Sequence, residues 1–317
     1  MPELTISAAD EKRVKALGFL RNKGTNNFSG RIITVNGKIT TAQNKCIAEA
    51  AELFGNGIVT FTTRLTVEVQ GIPYDKIEDF RAYLAKEGLV TGGTGSKVRP
   101  VVSCKGTTCQ YGSIDTFALS EEIHQRFFNG YSDVKLPHKF KIAVGGCPNN
   151  CVKPDLNDLG IVGQMVPNFD EDYCNGCKKC SVEEACPINA AKVVDGLLNI
   201  DKKECNNCGR CIGKCHFDAI EDGQVGYKIY IGGRWGKRVA HGKPLSKIFA
   251  SKEEAMDIIE KMILLYRKQG KTGERLSETI ERLGFENIEA QLLSNDLLDR
   301  KEEILEAKLH LTGGASC

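Results

Sequence analysis

The sequence predicts an α+β protein of roughly two or three domains, with a cysteine-dense segment set into its second half and a helical C-terminus. Three observations predict it. Residues 1–98 alternate strand and helix patterns; two strand patterns, Leu156–Met165 and Val225–Gly233, flank the cysteine-rich stretch; and helical periodicity dominates after residue 251. The boundaries expected are 1–98 for an N-terminal α/β domain, 99–168 with 223–275 for a second, 169–222 for the insertion, and 276–317 for a helical segment and tail.

In the first domain Gly30–Val35 reads as a strand and Asn36-Gly37 as a turn. Thr40 and Gln43 form a capping-box pattern opening a helix to about Phe54. Cys46, Ala50 and Leu53 share one face of it, which makes Cys46 a small core hydrophobe. From Arg64 the residues alternate as on a strand, with Leu65, Val67 and Val69 on one face. Pro73–Glu87 is an amphipathic helix presenting Ile77, Phe80 and Leu84. A glycine-rich joint at 92–95 precedes a strand near Val98, and a helix is expected from Ser113.

Composition excludes several classes. A net charge of +2 over 317 residues gives no global argument for nucleic acid or a membrane surface. No apolar run approaches the ~20 residues of a membrane span, and MPELTISAADEKR lacks a signal-peptide core, so a cytoplasmic protein is expected. Fourteen cysteines in a chain of this length, clustered at C-x2-C spacing, favour metal ligation over disulfides.

Cys174, Cys177, Cys180 and Cys186 fall as C-x2-C-x2-C-x5-C-P, and Cys205, Cys208, Cys211 and Cys215 as C-x2-C-x2-C-x3-C. This is the bacterial two-cluster ferredoxin pattern, in which the fourth cysteine of each run serves the other cluster. One [4Fe–4S] cluster is therefore assigned to Cys174, Cys177, Cys180 and Cys215, and a second to Cys205, Cys208, Cys211 and Cys186. Tetrahedral zinc also uses C-x2-C pairs, but two complete pseudo-symmetric runs favour clusters. His216 stands where the second run would carry proline and is read as a packing residue.

The chain is organised around Leu136–Cys151, LPHKFKIAVGGCPNNC. Alternation places Lys139 and Lys141 on one strand face and Phe140 and Ile142 on the other. Gly145-Gly146 lets backbone approach a bulky group closely. Cys147 and Cys151 follow, and Cys104 and Cys109 complete a third four-thiolate set. A basic surface strand beside a structural zinc is the plainer alternative.

The L-P-x-K-F-K and C-P-N-x-C motifs resemble those of the sirohaem-containing sulfite and nitrite reductases, over about residues 20–290. The single repeat with a two-cluster ferredoxin insertion is most similar to the anaerobic sulfite reductase type. The resemblance implies sulfite-reductase-like α/β domains with an inserted 2[4Fe–4S] ferredoxin domain. It implies sirohaem and three [4Fe–4S] clusters, with Lys139 and Lys141 binding the oxyanion and Cys151 bridging cluster to sirohaem iron. T-T-R resembles the family's first anion-binding motif and makes Arg64 a site residue, although Leu65 follows it where the family often has glutamine. Arg99, five residues before Cys104, is placed facing the sirohaem. Four residues stand between Cys104 and Cys109 where the family has five, which tightens their loop. The helix expected from Ser113 would direct its N-terminal dipole at that cluster.

Beyond the insertion, Arg234, Lys237 and Arg238 follow a glycine turn and are candidates to grip sirohaem carboxylates; a basic hairpin turn is the alternative reading. Cys317 is an exposed terminal thiol. The activity expected is multi-electron reduction of sulfite to sulfide, with electrons entering through the ferredoxin segment. Nitrite reduction on the same scaffold, or a non-catalytic electron carrier, are the alternatives. Expected partners are sulfite or nitrite, an electron-donating ferredoxin or flavin/iron–sulfur protein, and further copies or partner chains that complete the assembly.

Overall fold

The structure, a computed structural model, describes residues 6–310; the reading of Cys317 as an exposed thiol lies outside them. The fold is α+β, and the chain divides into two compact units. Of the described residues, one comprises 6–102, 120–142 and 260–310; the other comprises 103–119 and 143–259.

The first unit begins with α1 (Ala8–Ala16), capped by the Ser7 hydroxyl, which accepts from the Asp10 amide. β1 (Phe19–Arg21), β2 (Asn27–Ile32), α2 (Thr41–Phe54), β3 (Val59–Phe61), β4 (Val67–Pro73) and α3 (Ile77–Ala85) follow. The strands form an antiparallel sheet of order β1-β2-β4-β3. Thr40 and Gln43 make both bonds of the capping box that starts α2. Cys46 and Ala50 of that helix are buried, but Leu53 is 63% exposed, so the apolar face ends a turn early. Phe19, Phe28, Ile47, Val69 and Phe80 fill the core between sheet and helices. Gly30 has no side chain because a Cβ there would lie 2.8 Å from the Phe19 ring.

The second unit is built on a sheet of order β11-β10-β7-β6-β5. Its strands are β5 (Val102–Ser103), β6 (Ile142–Gly145), β7 (Leu159–Pro167), β10 (Gly223–Ile231) and β11 (Lys243–Phe249). Between β5 and β6, α4 (Thr116–Ile123) starts three residues later than expected from Ser113, because Asp115 caps it: its Oδ1 accepts from the Ala118 amide at 3.0 Å. β7 and β10 pair antiparallel along their whole length, from Gly223 opposite Pro167 to Ile231 opposite Leu159. Residues 168–222 are thus one excursion between two paired neighbours. The excursion holds α5 (Ser181–Ala185), which the x5 spacing of the first cysteine run forms, and the hairpin β8 (Ala191–Val194) with β9 (Leu197–Ile200). Asp195 and Gly196 both take positive φ in its two-residue turn. Val182, Ala191, Leu198 and Ile220 make a small core of its own, against which Cys174, Cys180, Cys186, Cys211 and Cys215 pack.

The long α6 (Lys252–Gln269), with α7 (Leu276–Leu283), α8 (Phe285–Leu293), α9 (Asp296–Asp299) and α10 (Lys301–Glu306), completes the chain. In the first unit Glu260 is nearly inaccessible; it accepts from Tyr131 at 2.5 Å and pairs with Lys301 at 2.6 Å and with Arg126. Burial opposes its charge, but these partners hold its carboxyl below the usual range. Among the described residues no helix is long and apolar enough to cross a membrane.

Candidate functional site: a cationic cavity and three thiol sets

In the first unit a cavity of about 200 Å³ is lined by Arg31, Arg64, Arg99, Lys139 and Lys141, together with the threonines of the β3–β4 loop. Four of these five cations are those singled out from the sequence. Lys139 and Lys141 precede β6 instead of lying within it; their alternation with buried Phe140 and Ile142 nonetheless persists, tied by the bridge between Phe140 and Val98. Arg99 donates from Nη1 to the Gly93 carbonyl, and its own amide donates to Phe140 O at 2.8 Å.

Arg64 is not a strand residue. It sits in the turn between β3 and β4, next to Leu65, whose φ is 57°. The Leu65 carbonyl accepts from the Thr34 hydroxyl, and Gly37 lies against its side chain: a Cβ there would be 3.2 Å from that of Leu65. The Thr62 hydroxyl accepts from the Arg64 and Thr66 amides, both at 3.3 Å. So folded, the turn sends the Arg64 guanidinium to two main-chain carbonyls. Nε and Nη2 reach Pro100 O at 3.0 and 2.6 Å, and Nη2 reaches Ile142 O at 3.0 Å.

Arg31 escaped sequence reasoning. Its side chain pairs with Glu68, directly opposite on β4, at 2.7 Å. The only signal available was a basic and an acidic residue 37 positions apart, meaningful once the register is known.

In the second unit, burial pushes the Cys147 thiol above its ordinary value, and neighbouring Cys104, Cys151 and Cys109 push the same way. These four cysteines are brought together. Cys104 Sγ accepts from the Gly146 amide at 3.1 Å. The loops close tightly around them: a Cβ on Gly112 would lie 1.9 Å from Gly106 O, and one on Gly146 2.9 Å from Gly106 Cα. Of the set, Cys151 alone is exposed.

Cys186, Cys205, Cys208 and Cys211 line a second cavity together, the grouping in which Cys186 crosses from its own run. Burial raises Cys211 to about 11, with Cys205, Cys208 and Cys186 adding to the rise. At Cys186 burial also works upward, but the amides of Ile188, Ala191, Ala190 and Asn189 outweigh it and bring the thiol below its ordinary value. Cys174, Cys180 and Cys215 pack on the small core of the excursion, Cys177 is half-buried, and Cys174 Sγ accepts from the Leu198 amide. His216 is exposed, so it is not the packing residue expected. All thirteen described cysteines are free of disulfides. Among the described residues no three His, Cys, Asp or Glu side chains are arranged as a single-ion site.

Strand β7 connects the Cys205–Cys208 loop to the first thiol set. Gly163 packs on Gly146, beside Cys147, where a Cβ would meet Gly146 O at 2.5 Å. Two residues on, about 7 Å along the strand, the Met165 amide donates to Asn207 O at 2.8 Å. Arg210, between Cys208 and Cys211, stands over the Tyr111 ring at 5.0 Å. Arg234 is half-buried, whereas Lys237 and Arg238 are exposed on the loop that Arg234 and Ala240 close by two mutual hydrogen bonds.

The sequence matches the family described as the nitrite and sulphite reductase 4Fe-4S domain over residues 94–299, and the nitrite/sulfite reductase ferredoxin-like half domain over residues 21–87. It is 34% identical over 244 residues to a coenzyme F420-dependent sulfite reductase of Methanocaldococcus jannaschii, covering 76% of this chain and 38% of that protein. It is 31% identical over 147 residues to an anaerobic sulfite reductase subunit of Salmonella typhimurium, covering 42% of each. The matched regions therefore span less than half the length of either relative. Its fold is similar to that of dissimilatory sulfite reductase I, with a TM-score of 0.66 and 24% identity over 84% of this chain and 69% of that one. With its half domain and its 4Fe-4S domain both matched, this chain belongs to the nitrite and sulphite reductase family.

Proposed function

We propose that this chain is a sirohaem–[4Fe–4S] reductase that converts sulfite to sulfide with electrons delivered through its ferredoxin segment. The observation that carries the reading is the cavity ringed by Arg31, Arg64, Arg99, Lys139 and Lys141. Five cations with one nearby carboxylate, Glu68, suit a small dianion and the carboxylates of a sirohaem. The donor chemistry fits the clusters as well: three sets of four thiols are assigned, and amides donate to sulfur at Cys104, Cys174 and Cys186. Cys151, exposed where the other three are half-buried, would hold the cluster on the side open to a sirohaem.

Sulfite, taking up six electrons and seven protons, gives hydrosulfide and three waters. Bound sirohaem and its cluster would supply single electrons to the anion on an iron centre. The chain's own residues do the rest. Lys139 and Lys141 neutralise the anion as charge accumulates, and the lysine ammonium groups are placed to give protons to departing oxygens. Arg64 fixes the turn that forms one wall, and the threonine hydroxyls supply neutral donors. The Cys174, Cys177, Cys180 and Cys215 set shares a small core with Cys186 and Cys211, and β7 links the Cys205–Cys208 loop to the backbone beside Cys147, so clusters held by these residues would form a chain ending at Cys104, Cys109, Cys147 and Cys151. A redox protein is the proposed donor, and a second copy or a different partner chain is proposed to complete the assembly.

The test is the absorption spectrum of anaerobically prepared protein, before and after sulfite under reducing conditions, for the parent and a Lys139→Met/Lys141→Met variant. The parent is expected to show sirohaem bands that shift with sulfite and about twelve irons per chain. The variant should keep the iron but lose the shift and the turnover. Unchanged turnover in the variant, or kcat/KM far higher for nitrite, would overturn the assignment.

A further inference from the structure

The face shared by β7 and β10 carries a separate cavity of about 190 Å³. Antiparallel register sets Val162 opposite Lys228 and Gln164 opposite Gly226, so all four belong to one face. Gly226 lacks a side chain because Ile248 fills its place: a Cβ there would lie 2.5 Å from Ile248 Cγ2. Around the rim stand Pro148 and Asn150 from the Cys147–Cys151 loop, Asn206 from the Cys205–Cys208 loop, and Asp155.

Three amide oxygens at this cavity, Asn150 Oδ1, Gln164 Oε1 and Asn206 Oδ1, are buried and accept from no protein donor. Two of the amides have a fixed orientation. Asn150 Nδ2 donates to Asp155 Oδ1 at 2.8 Å and Gln164 Nε2 to Gly163 O at 3.2 Å, so flipping either would set oxygen against oxygen. Gln164 is only 1% exposed. Native proteins seldom bury acceptors without donors, and three around one cavity point to a single kind of guest.

That guest donates several hydrogen bonds and tolerates Lys228. The three amide oxygens and Asp155 suit a hard cation, but the Lys228 ammonium opposes one. An anion would welcome Lys228 yet face three carbonyl oxygens and Asp155. Water meets both demands, donating to the amides and accepting from the lysine.

We propose that an ordered water cluster in this cavity, anchored by Gln164, bridges the loop of Cys147–Cys151 to the loop of Cys205–Cys208 and sets the reduction potentials of the two clusters together. This rests on the reading that both thiol sets hold clusters. Hydrogen bonding and hydration near a cluster are established controls of its potential. Gln164 is a positioning residue in this role, not a catalytic one.

The experiment compares holoenzyme of the parent and of Gln164→Leu by high-resolution crystallography and by redox titration followed with electron paramagnetic resonance. The parent is expected to show waters bonded to all three amides. In Gln164→Leu those waters are lost and the potentials of the two flanking clusters move, while that of the Cys174, Cys177, Cys180 and Cys215 cluster stays. Electron passage between the flanking clusters should slow by about tenfold, the lower end of the effect of losing an outer-shell partner. Should that variant fail to fold, Lys228→Met, which removes a donor to the same waters, is expected to shift the same two potentials. A dry cavity, a bound ion detected by anomalous scattering, or unmoved potentials with a raised Tm would overturn the proposal. The iron content of the unaltered protein tests the cluster reading by itself, so the two failures are distinguishable.

Discussion

Replacing Arg64 tests whether the wall of the cationic cavity depends on a main-chain anchor. Three hydrogen bonds run from this guanidinium to Pro100 O and Ile142 O, and both of those residues are buried. In Arg64→Met both carbonyls lose a charged donor. A buried acceptor left without its partner costs about 1–3 kcal/mol, so two cost about 2–6 kcal/mol. The cavity admits water to this region, which favours the lower part of that range, about 2–3 kcal/mol. For a unit of this size each kcal/mol moves Tm by roughly 2–4 °C, and a fall of about 5–10 °C is expected. Arg64→Lys reaches one carbonyl but not both, because an ammonium lacks the planar fork, and should fall between. Thermal unfolding of parent and both variants, with hydrogen exchange at the Arg64 and Thr66 amides, measures this. If Arg64→Met unfolds with the parent while sulfite turnover is lost, the anchoring argument is wrong and the guanidinium serves the anion alone.

Two further outcomes follow from packing and charge. Glu274 accepts from Arg282, Thr279 and the Lys271 amide; burial opposes its charge, yet these donors hold its carboxyl down at about 2, against 4.5 unperturbed. A folded-state value below the unfolded one means its contribution is complete above about pH 4.5 and lost as pH falls toward 2. Tm across that window should therefore fall more steeply for the parent than for Glu274→Gln, and parallel curves would refute the assignment. At the tight cysteine loop, Gly112→Ala places a Cβ 1.9 Å from Gly106 O and must displace the backbone between Cys104 and Cys109. Reconstituted protein should then bind about four fewer irons per chain, and a parental iron count would show that the loop yields without loss.

How far the sequence reached depended on whether the signal was local. The Lys139 and Lys141 alternation was legible because side-chain direction on extended backbone has period two, and it held even where the backbone left the regular strand. The capping box at Thr40 and Gln43 was legible for the same reason of short range. Arg64 lines the same cavity as the two lysines but was misplaced on a strand. The pattern of alternation runs unbroken through the turn, and nothing in it marks Leu65 as left-handed; Thr34 and Gly37, which hold it there, lie on another strand connection. Arg31 needed the β2–β4 register. The cavity at Gln164 was invisible because its walls come from five separated segments, brought together by the pairing of β7 with β10 and by loops packed on it.

That pairing also has a bearing on how the protein is made. Pro167 and Gly223 are direct neighbours across two strands, yet residues 168–222 separate them along the chain. Closing a loose loop of ~55 residues instead of a two-residue turn costs about 3 kcal/mol more, nearly five doublings of length. A folded excursion removes most of that penalty by holding its own ends together; its apolar core is small, and on the proposed reading the clusters its cysteines would hold share that task. On that reading iron supply would also bear on how readily β7 and β10 pair, and chain made without iron would be more open to proteolysis.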